Sequence, residues 1–178
     1  ISEASQDEIT TENYPEMVEN LDFPNAEITD VIKAMSELTG KNFIIDPAVR
    51  GKITIIGPSK VSVAEAYKAF LSALAINGFS VVPSGKYMKI KPARDAAKDT
   101  VETYSGAYSP DSDQMITRIL HLKHISAADV SQKLRGLATK YGEILTCDAT
   151  NSLIISDFGS NVEKIMTIIR ELDVAGFE

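Results

Sequence analysis

Apolar residues recur at Ile28, Val31, Ile32, Met35 and Leu38, the i, i+3, i+4, i+7 spacing that lines one face of a helix. Asn25 stands where an N-cap is expected, and Gly40 where the helix should stop. Before this helix, residues 17–23 read as a strand that sets Leu21 and Phe23 on one face and Val18, Asn20 and Asp22 on the other. After it, residues 42–45 form a short strand closed by Asp46-Pro47, and residues 52–56 alternate Ile53 and Ile55 with Thr54. Ser62 and Glu65 have capping-box spacing ahead of a second helix that turns Val63, Ala66, Tyr67, Phe70, Leu71 and Leu74 inward. Asn77-Gly78 ends it, and residues 79–82 and 87–90 flank a hairpin loop at Pro83-Ser84-Gly85.

A second pattern starts with a strand over residues 116–122. Ser126 and Asp129 open a helix bearing Ala127, Val130, Leu134 and Leu137. Residues 143–147 and 152–156 form a hairpin around Ala149-Thr150-Asn151. A helix capped by Ser160 and Glu163 follows, with Val162, Ile165, Met166, Ile169 and Leu172 on one face. The order β-α-β-β-α predicts two helices covering one side of a small sheet. Residues 1–13 are polar, acidic and aperiodic and read as a disordered lead-in. The fold class is therefore α+β in two small modules, at 14–92 and 114–174. The turn-rich stretch 93–113 reads as a linker.

Composition narrows the function. Of 178 residues, 44% are apolar, enough for packed cores. A net charge of −7, from 25 acidic against 18 basic side chains, disfavours nucleic acid as a partner. No apolar run reaches the roughly 18 residues a membrane helix needs. Ile1 without a preceding methionine is what a processed export signal, or a trimmed chain, would leave.

Chemistry is hard to find. His121 and His124 lie across a strand end and a loop, with no Cys-x-x-Cys to complete a metal site. Cys147, the single cysteine, reads as a buried, inert thiol in mid-strand. Gly40-Lys41 follows a helix instead of opening one, so it is no phosphate loop. Asp46 and Asp148 sit at turns without a second acid beside them. We therefore expect no catalytic residues, no metal and no cofactor. The β-α-β-β-α order is also that of KH domains, whose RNA grip needs a Gly-x-x-Gly loop. Gly136 and Gly142 are six apart, which argues against RNA.

The residues do match one family. Asp30-Val31-Ile32, the run from Gly40-Lys41-Asn42-Phe43 through Ile45-Asp46-Pro47, and Val49-Arg50-Gly51-Lys52-Ile53-Thr54-Ile55 resemble the first periplasmic domain of type II secretion secretins. Ala66-Tyr67, Phe70-Leu71, Leu74, Asn77-Gly78-Phe79 and Lys89-Ile90 continue the match. The second module is similar to the next, KH-like secretin domain, through Thr117-Arg118-Ile119-Leu120, Ala128-Asp129-Val130 and Thr150-Asn151-Ser152-Leu153-Ile154-Ile155. Type IV pilus secretins look similar too. The segment from Ile45-Asp46-Pro47 to Gly51 favours the type II branch.

The resemblance implies the periplasmic part of an outer-membrane ring channel whose membrane contact comes through a C-terminal barrel absent here. Its implied partners are an inner-membrane clamp protein, exported protein substrates and other copies of itself. The first domain would contact the clamp and the second would contribute to ring packing. Edge pairing of the first strand is the physical mechanism that fits, with Val18, Glu19, Asn20, Leu21 and Asp22, together with Lys52 and Thr54, bordering the contact. Asn20→Pro, which removes a backbone donor from that strand, is expected to weaken clamp binding and leave the fold intact. An unchanged affinity by titration calorimetry would dispose of this edge.

Overall fold

The computed structural model describes residues 9–10, 12–19, 21–57, 60–98, 102–106 and 108–176. They divide into two compact units, one ending at residue 98 and one starting at residue 102. Both mix helices with small sheets, the α+β class expected from the hydrophobic pattern.

In the first unit, strand β1 (Met17–Val18) and strand β2 (Leu21–Glu27) lead into helix α1 (Ile28–Thr39) and strand β3 (Asn42–Ile45). Strands β4 (Lys52–Gly57) and β5 (Val61–Ser62) precede helix α2 (Val63–Ile76). The hairpin of β6 (Phe79–Ser84) and β7 (Tyr87–Pro92) and a short helix α3 (Ala93–Ala96) close the unit. Strand β2 pairs antiparallel with β4, and β1 pairs antiparallel with β5. A separate three-stranded sheet has the order β3-β7-β6, with β3 parallel to β7. Helix α2 is the common floor. Ala66, Tyr67, Phe70, Leu71, Ala73 and Leu74 are all buried, and Phe70 meets the Phe43 ring edge-on at 6.2 Å. Ile28, Val31, Ile32 and Met35 of α1 share that core with Leu21, Ile53 and Ile55.

The second unit carries β8 (Thr103–Tyr104), β9 (Met115–His121), α4 (Ala127–Leu134), β10 (Glu143–Cys147), β11 (Ser152–Phe158) and α5 (Gly159–Leu172). Its sheet has the order β10-β11-β9-β8, antiparallel except for the parallel β8–β9 pair. Val162, Ile165, Met166 and Ile169 of α5 pack with Ile116, Leu153 and Ile155 into one core.

Several local expectations are corrected. Asn25 is no N-cap. It lies inside β2 with φ +47°, and Glu27 takes the cap position without a side-chain bond. Only half of the first capping box forms, with Ser62 Oγ accepting from the Glu65 N–H at 3.1 Å. Ser126 takes the cap position of α4 as expected but without a side-chain bond, and Ser160 lies inside α5 and does not cap it. Asn151 Oδ1 instead accepts from the Ala127 N–H at 2.8 Å, while its Nδ2 donates to the Leu122 and Ile125 carbonyls. The start of α5 is met by backbone, the Gly159 and Ser160 N–H groups donating to the Gln114 and Ser112 carbonyls. The hairpin turn is Gly85-Lys86, because pairing runs on through Pro83–Met88 and Ser84–Tyr87. Proline is tolerated there because β6 is an edge strand.

The stretch expected to be a linker contains α3 and β8. Ala93 and Ala96 of α3 are fully buried, and further along the stretch the Tyr108 carbonyl accepts from Arg118 at 2.7 Å. A Cβ on Gly159 would lie 2.1 Å from the Pro110 carbonyl oxygen, so glycine is what lets this stretch sit down on α5. Of the expected lead-in, only residues 9, 10, 12 and 13 are described, and Ile9 packs on the first core.

Ile169 is 1% exposed. Ile169→Ala should cost about 2–5 kcal/mol through lost burial and a residual cavity. A chemical-denaturation shift below about 0.5 kcal/mol would contradict this core assignment.

Candidate functional site

The candidate surface is the ribbon made by β1 and β2 against β5 and β4. Met17 lies opposite Ser62 and Val18 opposite Val61, after which Leu21 faces Gly57, Asp22 faces Ile56 and Phe23 faces Ile55. The register slips at Pro24-Asn25 and resumes with Ala26 opposite Ile53 and Glu27 opposite Lys52. That slip is a bulge. Asn25 supplies the left-handed turn it needs and donates its N–H to Thr54 Oγ1 at 3.0 Å.

Alternation divides the ribbon into two faces. Leu21, Ile53 and Ile55 are buried on the core side, with Phe23 and Ala26 packed beside them. Asp22, Glu27, Lys52, Thr54 and Ile56 are exposed on the other side, Ile56 at 72%. Lys52 Nζ lies 4.0 Å from the Glu27 carboxylate, and Lys60 Nζ lies 3.3 Å from that of Glu19. Both pairs are exposed, so each contributes little to stability.

Of the seven residues expected to border a partner, Asp22, Lys52 and Thr54 share the outward face, and Glu19 is exposed next to β1. Leu21 points into the core, and its backbone alone remains available. Val18 is also corrected. It packs on the core, because the break between β1 and β2 changes which side of the chain faces inward. Asn20 lies outside the described residues. The alternation of residues 52–56 did signal Ile56 as an outward apolar residue, but that signal went unused.

Elsewhere the chemistry is sparse. Cys147, expected to be buried, is exposed at the end of the edge strand β10. The Thr150 hydroxyl and the Thr150 and Ala149 N–H groups hold its thiol below its ordinary pKa. His121 Nδ1 lies 2.5 Å from Ser152 Oγ, whereas His124 contributes its backbone N–H to Asp173. Partial burial pushes the Asp173 carboxyl up, but the N–H groups of Lys123, His124 and Ile125 outweigh it and hold the group below the usual carboxylate range. Asp157, fully buried, accepts from Thr139, Asn161 and the Phe158 N–H, and so ties the loop before β10 to α5. Among the described residues, no three His, Cys, Asp or Glu side chains cluster as a metal site. No described helix is long and apolar enough to cross a membrane.

Comparison with known proteins places both units. Residues 21–90 match the family described as GspD-like, N0 domain, and residues 117–178 match the bacterial type II/III secretion system short domain. Secretin XcpQ of Pseudomonas aeruginosa is 30% identical over 164 residues, covering 92% of this chain and 24% of that protein. Secretin PulD of Klebsiella pneumoniae is 29% identical over 157 residues, 86% of this chain and 24% of that protein. The chain thus spans about a quarter of the length of these curated relatives. Among solved structures, the Klebsiella pneumoniae type II secretion system outer membrane complex of PulD, PulS and the PulC HR domain aligns with TM-score 0.75. Its identity is 28%, and it covers 88% of this chain and 27% of that one.

Asn25→Val should destabilise the first unit by about 1–2 kcal/mol, because a β-branched residue resists positive φ. Asn25→Gly should be close to neutral. Equal denaturation midpoints for the two variants would refute a bulge set by Asn25.

Proposed function

We propose a docking role for the first unit, because this chain belongs to the type II secretin family and carries that family's N-terminal region. In this reading the β2–β4 ribbon recruits the inner-membrane clamp protein of the secretion system. The observation that carries it is the ribbon itself, with one face sealed on the core, the other outward, and each strand paired on one side only among the described residues. Such strands present backbone donors and acceptors to a partner segment. The presence of the PulC HR domain beside PulD in the Klebsiella complex supports a clamp-type partner.

The wider role follows from the same membership. The chain forms a periplasmic portion of an outer-membrane channel, with residues 14–92 and 114–174 as its two modules, and it acts by binding and not by catalysis. Copies assemble in a ring through contacts that close only at the correct rotation, and exported proteins meet the vestibule so formed. In dilute solution the chain is monomeric or weakly dimeric, each contact between single copies being too small to hold a ring by itself.

Titration of the chain with the cognate counterpart of the PulC HR domain, followed by backbone amide NMR, tests the docking role. Shifts concentrated on residues 21–23 and 52–56 are expected. Shifts confined to other surfaces would sink this site, and no binding at millimolar concentration would sink clamp recruitment altogether.

A further inference from the structure

The outward face of the ribbon is not uniformly charged. Its two lysines are both engaged within the chain, Lys52 with Glu27 at one end and Lys60 with Glu19 at the other. Asp22 lies between those pairs, and among the described residues its carboxylate has neither an ion-pair nor a hydrogen-bond partner. Counting Glu19, Asp22 and Glu27 against Lys52 and Lys60 leaves one negative charge, and it resides at Asp22. Directly across the ladder from Asp22 stands Ile56, 72% exposed. A single exposed isoleucine is unremarkable, and so is a single solvated aspartate. Here the two are cross-strand neighbours, close enough for one side chain laid over the ribbon to touch both.

We infer that this face selects a partner segment bearing a lysine or arginine whose aliphatic stem covers Ile56 and whose cationic head pairs with Asp22. This inference rests on the docking role proposed above and names the chemistry of the partner. Long basic side chains suit the geometry because their methylene stems pack on apolar surface while the charge reaches outward. The flanking Glu27–Lys52 and Glu19–Lys60 pairs set the register. An acid placed over either glutamate, or a base over either lysine, meets like charge, which disfavours slipped pairings.

The test uses the 178-residue chain and the cognate counterpart of the PulC HR domain as probe, with affinity read by calorimetry and the footprint by amide NMR. Asp22→Asn should weaken binding about threefold and flatten its salt dependence. Asp22→Lys should weaken it about tenfold, and replacement of one basic residue of the probe by Asp should restore the loss. Ile56→Ala should cost about tenfold in affinity at every salt concentration. Both positions are exposed, and an unchanged amide spectrum of the free variant confirms that the fold is kept. If the footprint stays on residues 21–23 and 52–56 while all three variants bind like the parent, the partner chemistry is overturned and the docking role stands. If no acidic replacement of a basic residue in the probe's own footprint rescues Asp22→Lys, the pairing is overturned as well. A footprint elsewhere removes the docking role, and this inference with it.

Discussion

Helix α2 is the constraint on which the first unit depends. Its apolar positions run most of the way round, with Ala66, Phe70 and Leu74 entirely withdrawn from water and only the stripe of Glu65, Lys68 and Ile76 exposed, so it must be covered on most of its sides. Neither a two-stranded ribbon nor a three-stranded sheet has a core of its own. Both gain one by closing on α2. Phe70 and Tyr67 carry this joint, Phe70 against Phe43 from β3 and Tyr67 with its hydroxyl 3.7 Å from Met88 Sδ on β7. Burial of Tyr67 pushes its pKa well above the ordinary phenol value, so it stays neutral throughout the physiological range.

Enclosure of one face determines the other. Once Leu21, Ile53 and Ile55 are committed to α2, alternation leaves Asp22, Thr54 and Ile56 no choice but solvent or a partner. The outward face is thus a by-product of core packing, held in place because its reverse side is locked. The second unit does the same with polar joints. Asn151 spans the hairpin and the start of α4, and Asp173 draws the β9–α4 loop onto the end of α5. Both hold a loop in place through backbone groups that no other described side chain satisfies.

The sequence was readable where a period existed. The helix faces from Ile28 to Met35 and from Val162 to Ile169 announce themselves at 3.6-residue spacing, and the alternation of Ile53 and Ile55 announces a strand. The groups that satisfy the helix starts were not legible where they come from far away. Asn151 serves Ala127 from 24 residues off, and backbone carbonyls of Ser112 and Gln114 serve α5. Two-residue strands such as β1, β5 and β8 are too short to show any period. Cys147 was misplaced because an apolar neighbourhood in sequence cannot reveal that β10 lies at the edge of its sheet. The same blindness to strand breaks sent Val18 to the wrong face, while Asp22, Lys52 and Thr54 fell where alternation put them.

The bulge at Pro24-Asn25 carries a consequence for life at high copy number. Wherever many copies of the chain meet at close quarters, an unbroken open strand would let one ribbon template the next, the route to fibrous aggregates. Pro24 offers no N–H, and the slip beside it bends the strand away after Phe23. Any added strand therefore runs out of regular partners within a few residues of Leu21. The open edge before Pro24 has room for a short added strand only, and endless stacking of the chain upon itself is cut off at the same proline.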